Sequence, residues 1–210
     1  MKQSNFVVFD VETGGFDPAK NPVMEIALLA IDGTTLKEIK RWETLIKPYD
    51  DLEIAQRAVE THGIKPAVAE RDGMLLKDAV KYLAEWLDSV NPNKRGFNQA
   101  SMVAHNAEFD MKFLEDMFNR CNKNLWSHCR RVPICTMALS RMYLEKPNSL
   151  KLGNVVETMG LNLANAHRAM NDVVVTAEYF VNLSNRMRNN EVVSSKAVKK
   201  EKKQRETFQM

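Results

Sequence analysis

The chain has 210 residues, 44% of them hydrophobic and 27% charged, which fits one soluble domain with ample length to bury a core. No apolar run reaches membrane-spanning length, and the first apolar segment starts too close to the N-terminus to leave room for a cleavable leader, so a cytoplasmic protein with no membrane role is expected. The net charge of +3 equals that of residues 191–210 alone, where six basic residues face three acidic ones, so residues 1–190 balance at zero. Cys121, Cys129 and Cys135 lack paired spacing. Even with His128 beside them they read as reduced thiols rather than a zinc cluster.

In chain order, Phe6-Val7-Val8-Phe9 is a short aromatic and β-branched run expected to form a buried strand that closes on Asp10 and Glu12. Gly14-Gly15 breaks it, and glycines here are expected to let the chain turn sharply and a ligand approach the backbone. Val23 to Ile31 and Trp42 to Ile46 read as strands joined through Asp32-Gly33, completing a three-stranded antiparallel meander. Helices follow from Ile54 and from Met74 to Val90, the second ended by Asn91-Pro92-Asn93. Ser101 to Ala104 is a fourth strand leading into a helix whose apolar residues Phe109, Phe113, Leu114, Met117 and Phe118 recur at helical spacing. Ahead of that helix, His105 and Asn106 suit architectural roles, Asn as a cap and His as a local hydrogen-bonding group. Ile134 to Thr136 is a short fifth strand, followed by helices near Met137 to Tyr143 and Leu150 to Met159. The last helix presents Val173, Val174, Ala177, Phe180, Val181 and Leu183 to the core. The expected fold is α/β, a mixed five-stranded sheet flanked by helices, without internal repeats. The twelve methionines are scattered through the helices and read as core filling.

Four carboxylates stand out against this apolar framework. On a strand, side chains two apart share a face, so Asp10 and Glu12 project together while Val11 points the other way. Asp110 sits near a helix start, where the positive end of the helix dipole favours a carboxylate even without a metal. Asp172 follows His167 by five residues; on one continuous helix that spacing would turn the two side chains about 140° apart. His167 is therefore placed in the loop before the helix, from which an imidazole can swing over a site floored by Asp172. Carboxylates in apolar surroundings are costly unless something cationic pairs with them, and four with one histidine suggest bound metal ions.

Asp-x-Glu-Thr at a strand end, His-Asn-Ala-x-Phe-Asp at a helix start and His-x4-Asp near the C-terminus, in that order, resemble the DEDDh exonuclease family over roughly residues 5 to 185. Thr-His-Gly-Ile at 61 to 64 is similar to a further segment of the proofreading exonuclease subunit of bacterial DNA polymerase III, and ribonuclease T looks similar as well. The resemblance implies a ribonuclease-H-like fold over residues 1–188 and a 3′-to-5′ exonuclease using two divalent ions. By that likeness Asp10 bridges both ions, Glu12 and Asp172 complete one site, and Asp110 holds the other largely through water. His167 deprotonates the attacking water, and activity is expected to fall as this imidazole becomes protonated. All-carboxylate ligation favours Mg²⁺ or Mn²⁺ over zinc. The same likeness sets Thr13 and Gly14 beside the terminal nucleotide, with Phe109, Asn106 and His62 near it and Phe16 able to stack on the 3′ base.

The expected substrates are single-stranded DNA or RNA 3′ ends, with DNA favoured. Three roles stay open: a free-standing exonuclease, the proofreading component of a separate polymerase or an RNA-trimming enzyme, and a non-catalytic nucleic-acid binder. Intact Asp10, Glu12, Asp110, His167 and Asp172 weigh against the last. The basic segment 189–210, free of apolar periodicity until Phe208, reads as a disordered tail that either adds salt-sensitive attraction for phosphates or has no function.

Overall fold

A computed structural model describes residues 4–90, 99–144, 149–161 and 167–189. The sheet has five strands, β1 (Phe6–Thr13), β2 (Val23–Ile31), β3 (Glu38–Leu45), β4 (Ser101–Ala104) and β5 (Ile134–Cys135). Their order across the sheet is β3-β2-β1-β4-β5. β1 to β3 form the expected antiparallel meander, while β4 pairs with β1, and β5 with β4, in parallel. The helices are α1 (Gln56–His62), α2 (Pro66–Asp72), α3 (Leu76–Val90), α4 (Ala107–Arg120), α5 (Thr136–Tyr143), α6 (Leu152–Thr158) and α7 (Ala169–Arg188). This is the mixed α/β architecture that the sequence predicts.

β1 is covered on both faces, which is why its sequence reads as an apolar run rather than an alternation. Val7, Phe9 and Val11 pack with Leu83 and Leu87 of α3 and Phe113, Leu114 and Met117 of α4. Val8 faces the opposite way, with Ala27, Leu29 and Val103, onto Val173, Ala177 and Phe180 of α7. The alternation carries Asp10 and Glu12 onto the α7 face with Val8. All nine residues of β2 are buried, including its single charged member, Glu25. A third cluster joins α5, α6 and α7 through Leu144, Val155, Val156, Val175, Tyr179 and Leu183.

Three expectations are corrected. The helical region from Ile54 is two short helices rather than one, because Gly63 ends α1 in the left-handed conformation (φ 74°) and Pro66 restarts the chain at the first turn of α2. β3 begins at Glu38, four residues before the expected Trp42, because an edge strand tolerates the exposed polar stretch Glu38-Ile39-Lys40-Arg41 that periodicity alone does not reveal. Asn106 precedes α4 in the left-handed region (φ 65°) and makes no side-chain cap. Gly14 and Gly15 also make room for the chain itself: a Cβ on Gly14 would lie 2.8 Å from Pro22 and 2.9 Å from the Glu53 carbonyl, and one on Gly15 would lie 2.5 Å from the Asn21 side chain. Asn91-Pro92-Asn93 and the segment 190–210 lie outside the described residues, as does the 189–210 boundary except for Asn189.

Candidate active site

β1 pairs with β4 only from Phe6 to Val8, so its last residues run on past the parallel ladder. Open α/β sheets bind ligands in such crevices beyond the carboxyl ends of parallel strands. Asp10 and Glu12 lie on this protruding end. α7 crosses the same face and delivers Asp172 from its first turn. One carboxylate oxygen each from Asp10, Glu12 and Asp172 lie within 4.8 Å of one another. Asp110, in the first turn of α4 and only 3% exposed, reaches round from the other face, where its Oδ1 accepts a long 3.4 Å bond from the Val11 backbone N–H. It stands outside the group of three, yet its charge acts on Asp10.

No described basic side chain forms an ion pair with any of the four carboxylates. Burial first, then the charges of Asp110, Glu12, Asp172 and Glu25, push Asp10 well above the ordinary carboxylate range. Burial, with Asp172, Glu25 and Asp110, pushes Glu12 up to about 8, against a lowering by Arg168. Burial pushes Asp110 up to about 7 in spite of its backbone bonds, and it raises Asp172 as well. Asp172 Oδ1 is buried without a hydrogen-bond partner. Crowded oxygens, mutual repulsion and an orphaned acceptor are the features that a hard divalent cation relieves, so this donor set fits Mg²⁺ or Mn²⁺.

His167 occupies a bend before α7, exposed and in the left-handed region (φ 66°), and its backbone N–H donates to Asp172 Oδ2 at 3.3 Å. It is off the helix, as the five-residue spacing requires. The expected substrate contacts divide into a platform and a wall. Phe16 is 86% exposed and meets Phe109 edge-on at 6.3 Å between ring centroids, and Phe109 in turn packs on Phe113 at 5.0 Å. The loop carrying Phe16 is pinned at its base, where Gly14 N–H donates to Pro22 O, Ala55 N–H to Gly14 O, and Asn21 Nδ2 to Glu53 O. Thr13 is buried, with its hydroxyl on the Gly15 carbonyl at 2.6 Å. His62, 5% exposed, accepts from Ile64 N–H through Nδ1 and leaves Nε2 without a partner. Burial lowers its pKa, and Glu25, Arg168 and His167 are close enough to act on it. Asn106 is exposed at the start of α4.

His105 is architectural, as expected: its Nδ1 pairs with Thr136 Oγ1 at 3.0 Å and its Nε2 with the Leu150 carbonyl at 2.7 Å, tying β4 to α5 and to the segment before α6. The three cysteines are free thiols, and His128 pairs with Asp88 instead of joining them. Sequence reading passes over Glu25 and Arg168. Glu25 accepts from Arg168 Nη2 at 2.7 Å, Arg168 Nε at 3.2 Å and the Ala169 N–H at 3.0 Å. The available signal is a lone carboxylate inside the nine-residue apolar strand Val23–Ile31.

A mixed sheet with an acidic cluster at the end of its central strand is an arrangement suited to holding hard divalent ions. The chain belongs to the exonuclease family, which its sequence matches over residues 7–180. It is 35% identical over 182 residues to the PolC-type DNA polymerase III of Thermotoga petrophila, a match covering 86% of this chain and 12% of that protein. The chain thus spans about an eighth of the length of this relative. It is 28% identical over 179 residues to DNA polymerase III subunit epsilon of Aquifex aeolicus, covering 85% and 79% of the two chains. Ribonuclease T of Wigglesworthia glossinidia brevipalpis is 29% identical over 183 residues, covering 86% and 84%. Among solved structures, E. coli Exonuclease I in complex with a dT13 oligonucleotide superposes with a TM-score of 0.74 at 20% identity, over 89% of this chain and 42% of that one. This last likeness concerns the fold.

Proposed function

We propose that the protein is a metal-dependent 3′-to-5′ exonuclease that releases nucleoside monophosphates from single-stranded nucleic acid ends, DNA in preference to RNA. The observation that carries this reading is the convergence of Asp10, Glu12 and Asp172 within 4.8 Å on a protruding strand end, with their charges unpaired by any described basic side chain. Membership of the exonuclease family supports the reaction class. The two DNA polymerase III relatives support DNA as the substrate.

In this reading Asp10, Glu12 and Asp172 would hold one divalent ion, and Asp110 would help to hold a second. Such ions would supply activation of a water and neutralisation of charge on the leaving 3′ oxygen. His167, exposed beside Asp172, takes the proton of the attacking water as the phosphorus–oxygen bond to the penultimate nucleotide breaks. Phe16, braced by Phe109, stacks on the terminal base, a contact that holds unpaired strands without sequence preference. Thr13, Gly14, His62 and Asn106 border the nucleotide. His62 itself is buried, with the Thr13 backbone close enough to act on its imidazole, so it backs the strand end that borders the nucleotide.

A second reading, RNA trimming, has support in the ribonuclease T relative, whose coverage of both chains is similar to that of subunit epsilon. A third keeps the chemistry and sets it in the service of a separate polymerase, as the names of the PolC and epsilon relatives suggest. One experiment separates the DNA and RNA readings. Matched 3′- and 5′-labelled single strands of DNA and RNA are incubated with Mg²⁺, Mn²⁺ or chelator, with Asp10→Ala as control. Faster metal-dependent loss of the DNA 3′ nucleotide is expected. Faster loss from RNA favours trimming, and activity that survives chelation or Asp10→Ala overturns the catalytic assignment.

A further inference from the structure

Glu25 is an electrostatically poor occupant of its position. It stands directly across from Glu12 in the antiparallel register, on the same sheet face, and its side chain is 3% exposed. The other eight residues of β2 are apolar, so packing alone would be served by another aliphatic side chain. Its carboxylate instead makes three hydrogen bonds to one short segment: both ends of the Arg168 guanidinium fork and the N–H of Ala169, the first residue of α7. Bidentate pairing of this kind fixes orientation as well as proximity.

That segment needs an external hold. Arg168 occupies the N-cap of α7 but supplies no side-chain cap, so Glu25 satisfies a first-turn N–H from 144 residues away. His167, next in line, has a left-handed backbone that a residue with a Cβ adopts at a cost, and such conformations persist only where surrounding contacts over-determine them. Among the described residues, the contacts that hold it include the Glu25 clamp on one side and the His167 N–H to Asp172 Oδ2 bond. Resting on the exonuclease reading above, we infer that Glu25 is a positioning residue. Acting through Arg168 and Ala169, it fixes the start of α7 so that His167 stands over the site.

The test uses the full chain with Glu25→Gln and Arg168→Ala, singly and each combined with His167→Ala. Glu25→Gln keeps the size and one acceptor but loses the charge pairing. Arg168→Ala alters a half-exposed side chain and serves where the buried change fails to fold. In metal-free protein, hydrogen exchange of the amides from 167 to 172 is expected to accelerate at least tenfold in either variant, while the middle of α7 is unchanged. On single-stranded DNA, kcat is expected to fall at least tenfold with KM within about twofold. In the His167→Ala background the further loss is expected to shrink to under threefold. Unchanged exchange at 167–172, or the same fold-loss with and without His167, overturns the inference. Absence of cleavage by the unmutated protein, with accelerated exchange in the variants, would sink the exonuclease reading and leave the clamp standing.

Discussion

Asp10 concentrates the electrostatic cost of the site. It is pushed up by burial and by four neighbouring carboxylates, so in the metal-free protein it is a source of instability. Removing it is expected to separate stability from activity: Asp10→Ala lowers kcat by at least about a thousandfold while the melting temperature of the metal-free protein holds or rises. A fall in both would mean that Asp10 serves the fold. His167→Ala is expected to lower kcat by about a hundred- to ten-thousandfold, the range ascribed to a general base, with the thermal shift produced by Mn²⁺ retained. Loss of that shift would mean that the imidazole acts on the metal site instead.

The same residues set a pH dependence whose sign is opposite to that of a salt-bridged carboxylate. Glu12 at about 8 and Asp110 at about 7 lie above their unfolded values, so between about pH 4 and pH 8 the folded chain binds more protons than the unfolded one. Stability of the chelated protein is therefore greatest at the acidic end of this window and falls as pH rises through it. Melting curves at pH 5 and pH 8 with chelator are expected to show the higher midpoint at pH 5, with Mn²⁺ narrowing or reversing the difference. A chelated protein more stable at pH 8 would mean that these carboxylates are not desolvated as described.

At the scale of elements, the site depends on short connections more than on the helices they join. Gly63 ends α1 one residue after His62, in the left-handed region and with open space where a Cβ would point. Gly63→Ala is therefore expected to cost about 1 kcal/mol through backbone conformation alone, seen as a lower melting midpoint with little change in KM. At Gly14 the obstacle is contact with Pro22 and the Glu53 carbonyl, so an alanine there displaces the Phe16 loop. Arg120 braces the same loop from α4, pairing with Asp116 at 2.5 Å and Asp50 at 2.9 Å and reaching the carbonyls of Pro18 and Ala19. The aromatic platform thus stands on a rigid base although Phe16 itself is exposed.

For the molecule as a whole, the net positive charge is carried by its last twenty residues. Residues 1–190 balance at zero and residues 191–210 carry the net +3. If that segment draws phosphates to the site, deleting residues 191–210 should raise KM for single-stranded DNA at low salt and converge with the full chain at high salt. Equal KM values at low salt would remove the idea. Among the described residues, no helix is long and apolar enough to cross a membrane.

Much of this protein was legible from its residues. Strand Val23–Ile31 follows directly from an apolar run rich in β-branched residues and closed by a turn, and the meander follows from the short link at Asp32-Gly33. Period two sets Asp10 and Glu12 on one face, and period 3.6 separates His167 from the helix of Asp172, because both rules act over neighbours in the chain. Contacts between residues far apart in the chain obey no such rule. The reach of Asp110 to Val11, the close packing of Gly14 against the Glu53 carbonyl, and the grip of Glu25 on Arg168 were decided only when the sheet brought β1, β2, α4 and α7 together. A sequence states which side chains carry charge; only the tertiary structure determines which of those charges lose their water and whom they meet, and in the acidic cluster that desolvation is the cost a bound cation would relieve.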